Sequence, residues 1–502
     1  MKLDKVVCIY PYLQEVPIYE FFPPIGLEYI AAAIEDLVGE VSVIDLRLEK
    51  NFGDVLKVPP DMFCVSVNWH YEFESVCEVI RALPPEVLTV VGGRQATESV
   101  DQLFELCPNI DVIVRGDGEE TIREFVTTGS PEGVAGLSYR QNGRVVHNPN
   151  RDLKPVSNTL FPNREARRYQ YRVSYQKVGL GYSFDSMFSS RGCPFNCKFC
   201  SFKRNPLGQK REYSERTPES VIEELRQIEA DVVGFLDDNF FVNIERVNAI
   251  CDLILEEKIR KKFIVNARIS IAVHPELLKK MYRAGFWLLM IGVESAQDKS
   301  LKSLSKGFTT DEARKAFAVL SRTGMLTSGY FIVGLIGETE EDMLEIGPFA
   351  TELGLDLIHL NRLRFEKYSG IGDMLAEHPE YYVGEGSRIY SKDLGPREIN
   401  SILKRIRNGF FTPGKIARAL FKGLCAGFPG WKFLLRLPFI LPIVIARIAR
   451  RKQRCRAARE KLRLTLGLLG AGVHDHGKQV PPGPSLAPSG SSPTASREAP
   501  PR

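Results

Sequence analysis

At 502 residues, with 44% hydrophobic and 26% charged side chains, the chain has the make-up of a soluble globular protein with two or three domains, each burying its own core. Ten cysteines, seven of them isolated, exclude the dense disulfide framework of a small secreted domain and place the protein in a reducing cytoplasm. The net charge of +5 hides an asymmetry: residues 401–464 hold seventeen Lys or Arg against Glu460 alone, a local +16 on a body of −11, which suggests an anionic partner surface, membrane or nucleic acid.

The first fifteen residues carry a short apolar run without a cleavage-site pattern and read as a first strand, not a signal peptide. Up to about residue 130, short β-branched runs (VVCIYPY, VSVIDLRL, DMFCVSVNW, VLTVVGG, DVIVRGDG) alternate with helical patterns such as PPIGLEYIAAAIED. This predicts an α/β fold with a doubly wound parallel sheet and a ligand at the carboxyl ends of its strands. Gly92 and Gly93 follow one strand, Gly116 and Gly118 another, as close backbone approach to a ligand or an ordinary strand-to-helix turn would require.

Residues 131–180 are rich in Asn, Pro and Arg and read as a linker. From 181 to 385 about six strand and helix units follow, from SFDSMFSSRGC to LDLIHLNRLRF, which predicts a parallel barrel or partial barrel with its chemistry at the strand ends. Residues 386–468 are basic and amphipathic, and 469–502, dominated by Gly, Pro and Ser, read as disordered. In the basic region the longest charge-free run, Leu437–Ala446, contains Pro438 and Pro442 and is half the ~20 residues a spanning helix needs, so a surface-lying segment fits it better. The alternative is a helical cap packed on the barrel; no RNA-binding module accompanies the charge, and nucleic acid is not expected as partner.

The loop after the first barrel strand, SSRGCPFNCKFCSF, spaces Cys193, Cys197 and Cys200 as CxxxCxxC. Zinc takes four ligands, and no second CxxC or His pair is near: His274, His359, His474 and His476 are distant in sequence. Iron–sulfur clusters normally take four cysteines, so three leave one iron position open to another ligand.

With Phe199 as the aromatic residue before the third cysteine, this motif resembles that of the radical S-adenosylmethionine (radical SAM) superfamily. The resemblance implies that the three cysteines hold a 4Fe-4S cluster whose open iron binds SAM, and that one electron, from a donor such as flavodoxin or ferredoxin, turns SAM into a hydrogen-abstracting radical. It further implies SAM contacts at Gly292, Glu294 and Ser295 in LLMIGVES, at Asp237 and Asp238 in FLDDNF, at Arg268 in NARIS, and around Gly334, Gly337 and Glu338 in GYFIVGLIGET. For the acids a helix cap or solvated loop is the alternative. The family's Pro-Gly-Thr turn after the last strand is missing; NRLRFEKYSGIGDM stands there.

An open parallel sheet ahead of such a barrel resembles the cobalamin-binding domain of the class that uses both cofactors. That resemblance places cobalamin near Ser66, Val67, Gly92, Gly93, Arg94, Gly116 and Gly118. It also predicts a cobalt without a lower histidine, because DxHxxG is missing and Gln95 stands where relatives often carry His. The class implies methylation of an unactivated carbon; no residue is singled out as general acid or base. With the basic segment 410–456 as a peripheral contact on the inner membrane face, the chain is similar to the methylases of polycyclic triterpenoid lipids, hopanoid C-3 methylase in particular. Three other readings are an oxidative cyclase or rearrangement enzyme of the tetrapyrrole type, a transfer-RNA methylthiolase and a cofactor-binding sensor without turnover. The methylthiolase would need a second cysteine set, for which Cys8, Cys64, Cys77 and Cys107, in predicted core elements, are poor candidates.

Overall fold

The computed structural model describes residues 1–13, 22–49, 52–70, 72–175, 178–425 and, beyond these, Gly427, Pro438 and Pro442. Its first sheet holds β1 (Lys5–Tyr10), β2 (Glu40–Asp45), β3 (Met62–Ser66), β4 (Leu88–Gly92), β5 (Val112–Val114), β6 (Leu137–Gln141) and β7 (Arg144–His147), in the order β2-β1-β3-β4-β5-β6-β7. The first five are parallel, and β6 and β7 run antiparallel at one edge. Val7 and Ile9 are buried on one face, Val6 and Cys8 on the other, as sheets covered on both sides require. Six helices do the covering: α1 (Ile25–Ile34), α2 (Phe52–Lys57), α3 (Phe73–Arg81), α4 (Arg94–Glu98), α5 (Val100–Leu106) and α6 (Glu119–Thr128). α1 and α6 supply one core, α2, α3 and α5 the other. The strand order reverses between β1 and β3, the switch point where such sheets open a ligand crevice.

The second sheet has the order β16-β15-β14-β13-β12-β9-β8. Its members are β8 (Arg172–Tyr175), β9 (Val178–Met187), β12 (Val232–Phe235), β13 (Lys262–Ala267), β14 (Phe286–Glu294), β15 (Leu326–Val333) and β16 (Leu357–Arg362). Six strands are parallel and only β8 is antiparallel, so the predicted six units are present in an open half-barrel. A two-stranded pair, β10 (Ser190–Arg191) with β11 (Ser214–Glu215), closes the base of the cysteine loop. Its covering helices include α7 (Pro218–Gln227), α8 (Ile244–Glu256), α9 (Pro275–Ala284), α10 (Asp298–Ser303), α11 (Thr310–Leu320), α12 (Glu340–Leu344) and α13 (Ile346–Glu352). Their ends are written in the sequence: Thr217 and Asn243 cap α7 and α8, and Thr309 with Glu312 forms a capping box on α11. The lumen floor is apolar, built of Phe184, Val232, Ile264, Leu288 and Leu326, and the Phe22 ring of the first sheet's domain packs tilted against Phe184, centroids 4.6 Å apart.

Residues 131–180 are more ordered than a linker. Asn142 and Gly143, both at positive φ, turn the β6–β7 hairpin that extends the first sheet, and β8 already belongs to the second. Between them, the Val43 amide donates to Ala166 O at 2.7 Å along β2, while Arg164 pairs with Asp185 and Glu224, and Arg167 with Asp185 and, at 3.6 Å, Glu28. Charged side chains thus fasten α1 to β9 and α7.

After β16 come α14 (Ile371–Ala376), β17 (Tyr381–Val383), β18 (Ile389–Ser391), α15 (Pro396–Phe410) and α16 (Pro413–Cys425). α15 buries Ile399, Ile402, Leu403, Ile406 and Phe410 against the half-barrel core, a packed cap at this point of the basic region. α16 buries only Gly423 and leaves Ile416 and Phe421 exposed. No helix of the described residues is long and apolar enough to cross a membrane. Most of the basic segment 410–456 and all of the tail 469–502 lie outside the described residues.

Candidate active site

Cys193, Cys197 and Cys200 are free, half-buried thiols on the loop that leaves β9. Asp237, expected at the cavity mouth, is fully buried and instead pins this loop: it accepts from the Ser189 amide at 2.7 Å, the Ser190 hydroxyl at 2.7 Å and the Ser189 hydroxyl. Asp238 accepts from the Gly192 amide at 2.9 Å, next to the first cysteine, and burial pushes its carboxyl up to about 6. Burial also raises the thiols, Cys193 above its ordinary value and Cys200 to about 12, the latter opposed by a hydrogen bond from the Phe202 amide. Such thiols give up their protons to a cationic centre, not to bulk water.

Two cations flank the loop. Arg268, at the end of β13, donates to Cys197 Sγ at 3.4 Å, lies 3.8 Å above the Phe195 ring and is fixed by Lys306 O. Lys306 is buried, donates to Glu294 Oε1 at 2.8 Å and faces the Phe199 ring at 5.5 Å. Glu294 sits at a bulge ending β14 with φ +76, and Gly292 leaves the room this pair occupies, since a Cβ there would collide with both its charged ends. Ser295 Oγ donates to Glu338 Oε1 at 2.6 Å, which joins the ends of β14 and β15. Burial raises the Glu338 carboxyl, and its second oxygen has no hydrogen-bond partner. Gly334 and Gly337 both have positive φ; Gly334 faces Ile399 of α15, and the Gly337 amide donates to the Tyr381 hydroxyl at 2.9 Å, so these two line the α15 side and do not meet the cysteines.

At the carboxyl end of the first sheet a neutral hub forms. The Asn68 and Trp69 amides both donate to the Tyr12 hydroxyl at 2.8 Å, the Asn68 side chain donates to Ser66 Oγ at 2.8 Å and its carbonyl accepts from the Arg94 amide at 3.2 Å. Gly93 has φ +112, and a Cβ would stand 2.5 Å from Asn68 Oδ1 and 2.7 Å from Val67 O. Gly116 has φ +78 and faces Leu207 of the cysteine domain. Gly92 faces Val114 at an ordinary 3.6 Å, and Gly118 gives way to Ile30 Cδ1, 2.8 Å from where its Cβ would be. Gln95 donates to Ser99 Oγ at 2.7 Å along the helix, turned into its own turn and away from a ligand role.

Sequence reasoning missed Lys306, Asn68, Trp69 and the lumen wall. In register across the half-barrel, Gly292 shares a level with Tyr330 and His359, whose rings stack at 4.8 Å. Burial holds His359 down at about 4, a neutral imidazole. Only strand alternation, read inward, could have found this pair.

Among the described residues no three His, Cys, Asp or Glu converge on a single ion. A 4Fe-4S cluster asks each thiolate to hold a different iron, and Arg268 places a cation directly beside one of the three, Cys197.

Residues 187–349 match the Radical SAM superfamily and residues 16–126 the B12 binding domain. An uncharacterized methyltransferase of Pyrococcus horikoshii is 30% identical over 66% of this chain and 74% of its own length. The chain belongs to the radical SAM superfamily, with a B12-binding domain ahead of the half-barrel. An anaerobic magnesium-protoporphyrin IX monomethyl ester cyclase of Rubrivivax gelatinosus is 26% identical to this radical SAM protein over 67% of the chain and 63% of the cyclase. A hopanoid C-3 methylase of Methylococcus capsulatus is 25% identical, covering 63% of each. In fold it is similar to the radical S-adenosylmethionine methyltransferase TsrM of Kitasatospora setae solved with cobalamin and a [4Fe-4S] cluster, at TM-score 0.60 and 19% identity over 86% of this chain and 92% of that one.

Proposed function

We propose that this chain is a cobalamin-dependent radical SAM methyltransferase that acts on an unactivated carbon of a hydrophobic, hopanoid-like substrate in the cytoplasm, at the inner membrane face. The observation that carries the reading is one continuous set of contacts, from Cys197 through Arg268 and Lys306 to Glu294, in a half-barrel whose partner domain matches the B12-binding family.

Cys193, Cys197 and Cys200 would hold a 4Fe-4S cluster, Glu294, Ser295 and Gly292 would take the amino-acid end of SAM, and Ser66, Val67, Gly93, Arg94 and Gly116 would border cobalamin. Bound there, the cluster with SAM supplies a hydrogen-abstracting radical and cobalamin supplies the methyl group. The chain's own share is placement and exclusion. Asp237 fixes the loop, Arg268 offsets the negative charge of thiolates, the apolar floor keeps water from the lumen, and neutral Tyr330 and His359 offer an uncharged wall to the substrate. The membrane contact would come from α16 and the segment after it, with Ile416 and Phe421 entering the lipid boundary and Arg418 near headgroups, while Lys422 is held inward by Asp356 at 2.7 Å.

The test is anaerobic reconstitution with iron, sulfide and cobalamin, followed by SAM, a reductant and a lipid extract. Mass spectrometry should find 5′-deoxyadenosine and a lipid one methyl group heavier. The likeness to the cyclase favours a second reading, ring closure, which the same experiment recognises by a product without the added methyl.

A further inference from the structure

Beside the cysteine loop lies an exposed surface that the cofactor-holding residues leave unused. Phe202, two positions after Cys200, is 53% exposed, and Tyr368 is 47% exposed. Two close approaches make them one surface. A Cβ on Gly370 would stand 3.1 Å from Lys198 Cβ, and one on Gly208 would stand 3.1 Å from the Tyr368 ring, so the turn 366–370 rests directly on the loop 197–208.

Four cations lie on these two segments: Lys198, Lys203, Arg204 and Lys367. Their recorded contacts are neutral ones. Lys203 Nζ donates to Asn196 Oδ1 at 3.0 Å, Arg204 Nη1 to Gly208 O at 2.6 Å, and Lys367 Nζ lies 5.1 Å from the Tyr368 ring. Among the described residues none of the four pairs with a carboxylate, whereas the adjoining Lys210 and Arg211 are neutralised by Glu212 and Asp117. Exposed aromatics flanked by positive charge that no carboxylate pairs directly have the anatomy of a recognition surface and attract acidic partners from solution. A lipid or a nucleic acid would answer to the charge alone. The position answers to something narrower, because Lys198 and Phe202 stand on the same short loop as Cys197 and Cys200, within two residues of a thiol, and the turn 366–370 rests on that loop.

We propose that this surface is the docking face of an acidic one-electron carrier protein, which delivers its electron to the iron–sulfur centre held by Cys193, Cys197 and Cys200. The inference rests on the cluster assignment made above. In the step the reduced carrier loses one electron and the oxidised centre gains it; no bond between the proteins forms or breaks.

The experiment uses the full chain with reconstituted cluster, reduced flavodoxin as acidic carrier and dithionite as small reductant, and a Lys203→Glu/Arg204→Glu/Lys367→Glu variant. The variant should keep the wild-type visible absorption and its rate of bleaching by dithionite. Its bleaching by flavodoxin should slow at least tenfold at low salt, and the wild-type rate should fall as salt rises. Equal flavodoxin rates in the two proteins would overturn the proposal. So would calorimetry in which flavodoxin binds both alike, or in which a single-stranded oligonucleotide binds the wild-type face and flavodoxin does not. A wild-type chain that takes up no iron–sulfur centre would instead refute the cluster assignment, while calorimetry of flavodoxin on that same chain would still decide whether the face binds the carrier.

Discussion

The ends of β3 and β4 are stitched together by neutral groups, the Tyr12 hydroxyl, the Asn68 amide and the crowded backbone at Gly93, while the ends of β12, β13 and β14 carry Asp237, Asp238, Arg268 and Glu294 with Lys306 behind it. Both are carboxyl ends of parallel strands. A large ligand read by shape needs room and amides, and small residues provide both. A cluster and a zwitterion bring charge into a half-buried place, so every charge near them needs a counter-charge already in position. The first site is therefore fragile to added volume and the second to lost charge.

Removing the centre itself should have the largest effect. Any one of Cys193→Ala, Cys197→Ala or Cys200→Ala should abolish the iron–sulfur absorption and SAM cleavage, with thermal unfolding close to wild type; retained cleavage would refute the ligand assignment. Next, Lys306→Met leaves Glu294 buried without its partner and should cost about 3–5 kcal/mol in urea unfolding. An unchanged midpoint would show that the pair is not closed in solution. On the neutral side, Gly93→Ala should cost roughly 1–2 kcal/mol or more from the φ +112 backbone and its two close contacts, and Gly92→Ala, whose Cβ meets Val114 at an ordinary 3.6 Å, clearly less. Equal losses would mean that the crowding at Gly93 relaxes.

The smallest effect belongs to the joint between the two halves. Glu28 is buried on α1, and desolvation raises its carboxyl from 4.5 to about 7 against the pull of Arg167. Between those values the folded chain keeps a proton that the unfolded chain has lost, so this group subtracts stability as pH rises through the window and fully above it. Glu28→Gln should therefore gain on wild type between pH 5 and pH 8 in paired urea titrations. A constant difference would place the carboxylate in water.

Alternation of apolar strands with amphipathic helices made both parallel sheets legible, because covered strands must be continuously apolar and their helices striped. The β6–β7 hairpin escaped despite its Asn142-Gly143 turn, since Arg144–His147 is partly exposed and reads as polar. The cysteines were legible because one loop must supply all three. Lys306 was not, for its meeting with Glu294 follows from a bulge and a folded loop and not from any period. Asp237 was read by its place at a strand end, where it stands, but its direction, inward to Ser189 and Ser190, depended on tertiary packing.

The turn 366–370 touches both halves at once. Glu366 reaches Arg94 at 3.2 Å behind Gly93, and Gly370 bears on Lys198 between two of the cysteines. The two cofactor ends are thus linked in series through five residues, like two springs sharing a pin. A substitution in that turn therefore touches both ends at once, although it lies in neither sheet.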